Sequence, residues 1–389
     1  MKVRLGDVCD ILNGFSFKSD KYVKEGIRII RIANVQKGYV EDDDPVYYPL
    51  DSSGLEKYML EEDDLLISLT GNVGRVALLQ KDMLPAALNQ RVACLRLKNN
   101  VLTKGFLFHV LNSNLFEQRC IHSSKGVAQK NMSTEWLKNY EIPLYSIEKQ
   151  LKITKILDNV KQIINSRQKE LSDLDTLIKA RFVEMFGDPV SNSYRCHEAT
   201  LMELGELGRG VSKHRPRNDS KLLGGKYPLI QTGDVANSGL YITSYNSTYS
   251  ELGLKQSKMW NKGTLCITIA ANIAKTAILE FDACFPDSIV GFIAGEQTNN
   301  IFIHYWFSFF QKIIETQAPE SAQKNINLKI LSELKVIVPE KEKQNEFAAF
   351  VQQIDKLRFG GRKRLTKAKN TKNNNRNTIT LERSTLYGK

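Results

Sequence analysis

The stretch SIEKQLKITKILDNVKQIINSRQKELSDLDTLIKARFVEMFGDP, residues 146–189, decides how the chain is organised. Apolar residues fall at Ile153, Leu157, Val160 and Ile164, then at Leu171, Leu174, Ile178, Phe182 and Met185. Steps of three and four alternate apart from one gap at Arg167, which is the seam of a helix lying lengthwise on another helix. Ser146 supplies a cap at the start. Gly187-Asp188-Pro189 supplies the stop, a left-handed C-cap and then a residue that cannot continue the helix. About 40 residues at roughly 1.5 Å each make a rod of about 60 Å. A long helix on the surface of one domain would show a similar stripe, so the flanking sequence has to decide.

The same itinerary is written on both sides of the rod. Upstream, strands are expected at Ile27–Ile32, Leu65–Leu69, Val76–Leu79 and Arg91–Leu97, with a helix over Phe106–Phe116 and a polar loop over Ser123–Ser133. Downstream, Leu204-Gly205-Glu206-Leu207 answers Leu5-Gly6-Asp7-Val8, and Tyr227–Val235 answers Ile27–Val35. Ala271-Asn272-Ile273-Ala274-Lys275 answers Gly71-Asn72-Val73-Gly74-Arg75, and Phe302–Phe307 answers Phe106–Leu111. Gln323-Lys324-Asn325-Ile326 answers Gln129-Lys130-Asn131-Met132, and Val338-Pro339 with Gln344 answers Ile142-Pro143 with Gln150. These are two copies of one unit, a mixed α/β domain followed by a helix.

A second helix is therefore expected from Glu340, with Phe347, Val351, Ile354 and Leu357 facing the first. It is expected to be short, because Gly360-Gly361 reads as a breaker and the Asn/Lys-rich run Asn370–Asn377 as a disordered basic tail. The expected division is a domain over 1–145, a spacer helix over 146–189, a second domain over 190–339, a shortened helix over 340–360 and a tail over 361–389. Two repeats joined this way predict a pseudo-twofold molecule, suited to two half-sites on a roughly symmetric ligand.

With 389 residues, 42% hydrophobic and 25% charged, the chain has material for two or three globular domains. No apolar run follows Met1-Lys2-Val3-Arg4, and the most apolar run, Ile301–Ile314, is too short and polar to cross a bilayer. A cytoplasmic protein without membrane contact is expected. Six scattered cysteines with no CxxC pair read as free thiols, and Cys196-His197 stands alone, so no metal site is expected. The net charge is +12, yet residues 356–389 hold 11 Lys and Arg against the single acid Glu382. The remaining 355 residues carry 44 basic and 42 acidic side chains. Contacts to phosphate on the body must come from local patches.

These repeats resemble the specificity subunit of type I restriction-modification systems. The resemblance rests on Leu5-Gly6-Asp7, on Gln129-Lys130-Asn131-Met132 and Gln323-Lys324-Asn325-Ile326, and on Pro143 and Pro339, each followed by a Gln at the head of a helix. Arg181-Phe182-Val183-Glu184-Met185-Phe186-Gly187-Asp188-Pro189 completes it, in duplicated order over residues 1 to about 360. It implies an α/β (α+β) chain with two tandem target-recognition domains, separated by long antiparallel coiled-coil helices, each domain reading one half of a split double-stranded DNA sequence. It also implies two modification (methyltransferase) subunits and restriction (translocase/nuclease) subunits as partners. S-adenosylmethionine, ATP and Mg²⁺ would sit on those partners, and no cofactor on this chain. The shortened second helix departs from the family, whose two helices are of similar length.

No catalytic residue is expected. A DNA methyltransferase would show a glycine-rich donor loop and an Asn-Pro-Pro-Tyr-like tetrapeptide for a flipped base, and neither occurs. Pro286-Asp287 with Glu296-Gln297-Thr298 lacks the lysine of a metal nuclease motif, and Gly71–Arg75 is too short for a phosphate loop. Reading would fall to loops carrying Arg, Lys, Asn or Gln, which match base edges in the major groove. In the first repeat the candidates are Asn13, Ser16, Lys18, Asn72, Arg75, Lys125, Gln129 and Lys130; in the second they are Lys213, His214, Arg215, Arg217, Asn272, Lys275 and Lys324. Asn72 and Asn272 also suit plain turns, and Asn131 and Asn325 suit helix caps. A two-domain protein scaffold without DNA contact fits the same repeats, whereas a stand-alone nuclease or methylase lacks its motifs. Salt-dependent duplex binding separates the reader from the scaffold.

Overall fold

The apolar runs of the first repeat form short strands stacked between a second small sheet and a layer of helices. The computed structural model describes residues 1–123, 131–270, 272–317 and 326–381, in two units: Met1–Gln168 with Lys363–Lys389, and Lys169–Arg362. The first unit contains β1 (Lys2–Arg4), β2 (Cys9–Asn13), β3 (Ile27–Ile30), β4 (Tyr47–Tyr48), β5 (Leu65–Ser68), β6 (Val76–Leu78), β7 (Ala86–Leu88), β8 (Val92–Leu97) and β9 (Glu141–Pro143). Its helices are α1 (Leu5–Val8), α2 (Lys104–Leu111), α3 (Asn114–Ser123), α4 (Thr134–Asn139) and the first half of α5 (Ile147–Phe186). Strands β2-β8-β5-β6 make an antiparallel sheet, and β4-β3-β7 a second one in which β3 and β7 run parallel. Leu65 and Ile67 face Phe106, Leu107 and Phe116 of the helices, while Leu66, Val92 and Cys94 face Ile30 and Leu88 of the small sheet. Burial on both faces explains why β5 is apolar throughout rather than alternating.

The helix expected over Phe106–Phe116 is two helices. Asn112 donates its Nδ2 to the Phe108 carbonyl at 3.1 Å, closing α2, and Ser113 Oγ accepts the Phe116 N–H at 3.2 Å, opening α3. The Asn131 cap is also corrected: Ser133 caps α4 through Trp136 N at 3.1 Å. In the second unit, the corresponding α9 (Leu328–Ser332) is capped by Asn327 through Ile330 N at 2.9 Å, whereas Asn325 lies outside the described residues.

The second unit contains β10 (His197–Thr200), β11 (Gly205–Arg209), β12 (Leu223–Leu229), β13 (Tyr241–Ile242), β14 (Ser247–Tyr249), β15 (Met259–Trp260), β16 (Leu265–Thr268), β17 (Thr276–Leu279), β18 (Ala283–Cys284), β19 (Ile289–Ala294) and β20 (Lys335–Val338). Helices α6 (Thr232–Asn237), α7 (Glu251–Lys255), α8 (Asn300–Gln317), α9 and the first half of α10 (Lys341–Leu381) complete it. Its main sheet, β11-β19-β16-β17-β13, repeats the order β2-β8-β5-β6 with one added strand. The true register of the opening motif differs from the expected one. Leu5 N bonds Tyr140 O and Leu201 N bonds Leu334 O, both at 2.9 Å, so Leu201–Leu204 is the second copy of Leu5–Val8. What recurs is the pair of buried residues three apart, not the Leu-Gly dipeptide.

Both long helices are pinned to a domain by a buried glutamine. Gln150 accepts the Thr103 N–H at 2.8 Å and donates to the carbonyls of Val101 (2.8 Å) and Tyr145 (2.9 Å). Gln344 accepts the Thr298 hydroxyl at 3.0 Å and donates to Gln297 O (3.0 Å) and Pro339 O (2.8 Å). Ser146 Oγ accepts the Lys149 N–H at 3.4 Å, and α5 ends on Gly187 at φ +77. In the first unit Leu157 and Ile164 are buried and Ile153 and Val160 half-buried. In the second, Ile178 and Phe182 are buried and Leu171, Leu174 and Met185 half-buried, and all but Leu171 share a core with Phe347, Val351 and Ile354 of α10. There the two helices run antiparallel: Phe182 meets Phe347 (ring centroids 5.3 Å apart), Asp175 meets Arg358 (2.7 Å), and Leu171 meets Gly361.

Three expectations about the second helix are overturned. It is 41 residues long and continues to Leu381, so it is neither shortened at 360 nor followed at 361 by a disordered tail over the described residues. Leu357 is 61% exposed, and Arg358 takes the buried position, paired with Asp175. Gly361 is no breaker; it is buried in the helix where a Cβ would stand 3.3 Å from Leu171 Cδ2. In the first unit the same helix buries Arg376, which donates to Asn112 O and to His109 Nδ1, both at 3.1 Å. His109 Nε2 in turn meets Asp158 Oδ1 at 2.8 Å. Among the described residues no helix is long and apolar enough to cross a membrane, and no group of three His, Cys, Asp or Glu is placed to hold a metal.

Candidate nucleic-acid interface

Antiparallel pairing gathers strand ends of opposite sense at one edge of a sheet. In the first unit Asn13 pairs with Ala93, Ser68 with Val92 and Ile67 with Val76. That edge therefore carries Asn13, Arg91 and the loop Gly71–Arg75. In the second unit Arg209 pairs with Val290, Thr268 with Ile289 and Ile267 with Thr276, so the matching edge carries Arg209, Ser288 and the loop through Asn272 to Lys275.

The two loops share one framework although their sequences differ. Ser68 N bonds Arg75 O at 3.0 Å and Gly74 N bonds Ser68 O at 2.9 Å; Thr268 N bonds Lys275 O and Ala274 N bonds Thr268 O, both at 2.9 Å. The side chains repeat as well. Ser68 Oγ donates to Asn72 O at 2.5 Å and accepts the Arg75 N–H at 3.0 Å. Thr268 Oγ1 donates to Asn272 O and accepts the Lys275 N–H at 3.1 Å. Gly74 has φ +81 and sits where a Cβ would stand 2.8 Å from Cys120, so the first loop needs glycine there. On this framework Asn72 and Asn272 are exposed and Arg75 and Lys275 half-exposed. Arg75 is steered by a hydrogen bond from its Nη1 to Gln36 Oε1.

The residues that follow the Gln-Lys-Asn motifs close the necks of these loops. Met132 N bonds Leu69 O at 2.8 Å, Ile326 N bonds Ile269 O at 2.9 Å, and both side chains are buried. Asn131 bridges Thr70 beside the first loop. Lys125, Gln129, Lys130 and Lys324 lie outside the described residues.

The segments after β2 and β11 are the second part of each edge. Asn13, Ser16 and Lys18 are exposed, and the backbone between them is clamped by Phe15 N to Leu88 O (2.8 Å) and Gln90 N to Phe15 O (2.9 Å). In the second unit Val211 N bonds Phe285 O at 3.2 Å, and Lys213, His214, Arg215 and Arg217 follow, all exposed. Their charge is organised rather than free. Asp287 pairs with Arg217 and, at 3.4 Å, with Arg215, while its carbonyl accepts Arg209 Nε at 2.5 Å. His214 Nε2 meets Asp219 Oδ2 at 3.2 Å, and the Lys221 N–H, then His214, hold the Asp219 carboxyl below its usual range. Asp287, which the sequence offered only as a fragment of a nuclease motif, is the hub of a basic patch. Sequence reasoning missed Gln36, Arg91, Arg209 and Asp287. Arg209 was reachable, since it precedes Gly210-Val211-Ser212 as Asn13 precedes Gly14-Phe15-Ser16.

A family profile described as the type I restriction modification DNA specificity domain matches residues 1–174 and again residues 197–370. The chain is 24% identical over 390 residues to the type I restriction enzyme EcoBI specificity subunit of Escherichia coli, covering 91% of this chain and 79% of that one. A 167-residue stretch is 34% identical to the EcoAI specificity subunit of the same organism, covering 42% of this chain and 28% of that one. Among solved structures, the S subunit of a type I restriction-modification system from M. genitalium is similar in fold, with a TM-score of 0.59 at 16% identity over 98% of this chain and 96% of that one.

Proposed function

Because the chain belongs, through both of its repeats, to the type I restriction-modification DNA specificity family, we propose that it reads a split duplex DNA target with one half-site per repeat, using the two loop edges. It is the specificity component of such a system and is not itself catalytic. The observation that carries the half-site reading is the duplicated edge. One framework of backbone bonds presents Asn72 and Arg75 in the first repeat and Asn272 and Lys275 in the second. An exposed amide suits adenine, a guanidinium or ammonium suits guanine or phosphate, and a fixed backbone lets each be aimed.

On this reading the chain acts in the cytoplasm with modification and restriction subunits, which carry S-adenosylmethionine, ATP and Mg²⁺. Two modification subunits fit the duplicated helix surface. Ile156 and Ile163 of α5 are 46% and 52% exposed, and Leu357, the repeat counterpart of Ile163 on α10, is 61% exposed. Exposed apolar residues of this size on the same face of each repeat's helix mark a partner surface that occurs twice. Sequencing the methylated sites made by the assembled complex tests the reading: Arg75→Ala should alter one half of a split motif and Lys275→Ala the other. A protein scaffold without DNA contact would leave both halves unchanged.

A further inference from the structure

We infer that Ser68 and Thr268 are positioning residues for base reading, each setting one half of the target through the loop it holds; this rests on the loop edges being the reading surface. The two side chains are fully buried, at 0% and 1% exposure, and neither touches the exposed face of its loop. Each hydroxyl makes the same two bonds across the loop, one to the carbonyl of the exposed asparagine and one from the N–H of the basic residue. The two groups proposed to meet bases are thus tied to a single oxygen in each repeat.

The repeat supplies its own control. Between Ser68 and Arg75 the loop reads Leu69-Thr70-Gly71-Asn72-Val73-Gly74, and its counterpart begins Ile269 and ends Asn272-Ile273-Ala274-Lys275. The glycines of the first loop are absent from the second, where Ala274 takes positive φ (+57) in place of Gly74 and Asn272 takes φ +36 as well. Asn and Ala adopt that backbone at a cost glycine avoids, so something other than local preference holds the second loop in shape. The hydroxyl common to both repeats is placed to do so. With a serine in one and a threonine in the other, the oxygen is common to both repeats while the side-chain volume differs.

The distinction from a purely structural hydroxyl lies in which half of the target changes. A defect in folding or assembly lowers methylation of the whole site, because both half-sites must be bound together. A loosened loop instead blurs base choice in its own half and leaves the other sharp. With the full chain assembled with its modification subunits, methylated sites are sequenced for Ser68→Ala, Ser68→Thr, Thr268→Val and Thr268→Ser. Ser68→Ala should lower discrimination about tenfold at one or more bases of one half-site, the scale of a single weakened base contact, with the other half unchanged. Thr268→Val, which keeps the shape and removes the oxygen, should do the same to the other half. Ser68→Thr and Thr268→Ser should restore the parent motif.

Equal loss at both halves, an unaltered motif in the two oxygen-free variants, or total loss of methylation that Ser68→Thr fails to avoid would overturn the inference. Asn72→Ala and Arg75→Ala run beside these variants. If they leave the motif unchanged, the loop does not read DNA and the proposed function fails at this edge. If they change it while Ser68→Ala does not, the positioning role alone fails.

Discussion

His109 stands 1% exposed between Arg376 and Asp158, and burial first, then Arg376, pushes its imidazole from 6.5 down to about 4. The hydrogen bonds agree with a neutral ring, since Nδ1 must accept from the guanidinium and Nε2–H then donates to the carboxylate. Unfolding returns the ring to its ordinary value, so the unfolded chain takes up the proton first. Above pH 6.5 the group is neutral in both states and has no effect. As pH falls from 6.5 to 4 it removes stability, about 3 kcal/mol when complete, and below 4 its slope ends. Urea unfolding of the parent and of His109→Gln at pH 7 and pH 5 should show the variant gaining, relative to the parent, about 1.4 kcal/mol per pH unit below 6.5. A constant gap between the two curves would show that the ring titrates in the fold at its ordinary value, without the downward shift. Gln150 is the other residue of this kind. Gln150→Ala strips the partners of one buried N–H and two carbonyls and should cost about 2–3 kcal/mol, read as a lowered urea midpoint. The sequence marked Gln150 and Gln344 only as recurring letters behind a proline; their physical task became visible once three bonds converged on each. The hydroxyls of Ser68 and Thr268 carried no signal at all, because a Ser and a Thr at the end of an apolar strand look like ordinary turn formers.

At the scale of elements, α5 was legible from end to end and α10 only in its first half, for one reason. A seam is recognised by apolar periodicity, and Phe347, Val351 and Ile354 provide it. The next members at steps of three and four are Arg358, Gly361, Leu365, Ala368, Lys372 and Arg376, of which two are apolar. The period persists while the chemistry changes, since these positions face polar partners: Asp175 for Arg358, and His109 with the Asn112 carbonyl for Arg376. Gly360-Gly361 read as a stop, yet Gly361 lies inside the helix in close approach to Leu171, where an added Cβ would stand 3.3 Å from Cδ2. The four strands expected in the first repeat were found within a residue or two, three of them because β5, β6 and β8 are buried on both faces, whereas β1, β2, β4, β7 and β9 were not foreseen. The edge residue Arg91 was missed because only strand pairing shows that it lies beside the loop, whereas Arg209 could have been found from its likeness to Asn13. Ending the chain after Arg362 tests the second half of α10. It removes from the first unit the helix that covers His109 and Asn112 and leaves the second unit's pairing of Phe347, Val351 and Ile354 with α5 untouched. Hydrogen exchange should then rise in α2 and the first half of α5, while α8 and residues 341–354 keep their protection. Equal loss of protection in both units would show that α10 folds as one block.

At the scale of the whole molecule, charge and duplication together bear on how the protein meets DNA and partners. The +12 net charge is concentrated in α10 and beyond, and two of its cations are buried there: Arg358 and Arg376 are 7% and 8% exposed. Burial, then Arg376 and Lys161 beside it, also pulls Lys372 down to about 8. Residues 1–355 carry 44 basic and 42 acidic side chains, which leaves few phosphate contacts on the body. The chain alone should therefore bind duplex DNA weakly, with a shallow dependence on salt, and gain both affinity and a steeper slope when modification subunits join. Tight specific binding by the isolated chain near 0.15 M salt would contradict this. On the function proposed above, the repeat would set how many such subunits join. Ile163 and Leu357 occupy equivalent helix positions and are both more than half exposed, so each repeat offers the same apolar contact. If each takes one modification subunit, Ile163→Asp and Leu357→Asp should each reduce the assembled complex to one copy, and the double variant should recruit none, as native mass spectrometry would count directly. Two sites that are equivalent but independent give complexes of one copy in each single variant and of two in the parent. A single composite site spanning both helices would instead lose everything in either single variant, and that pattern would replace two docking faces by one.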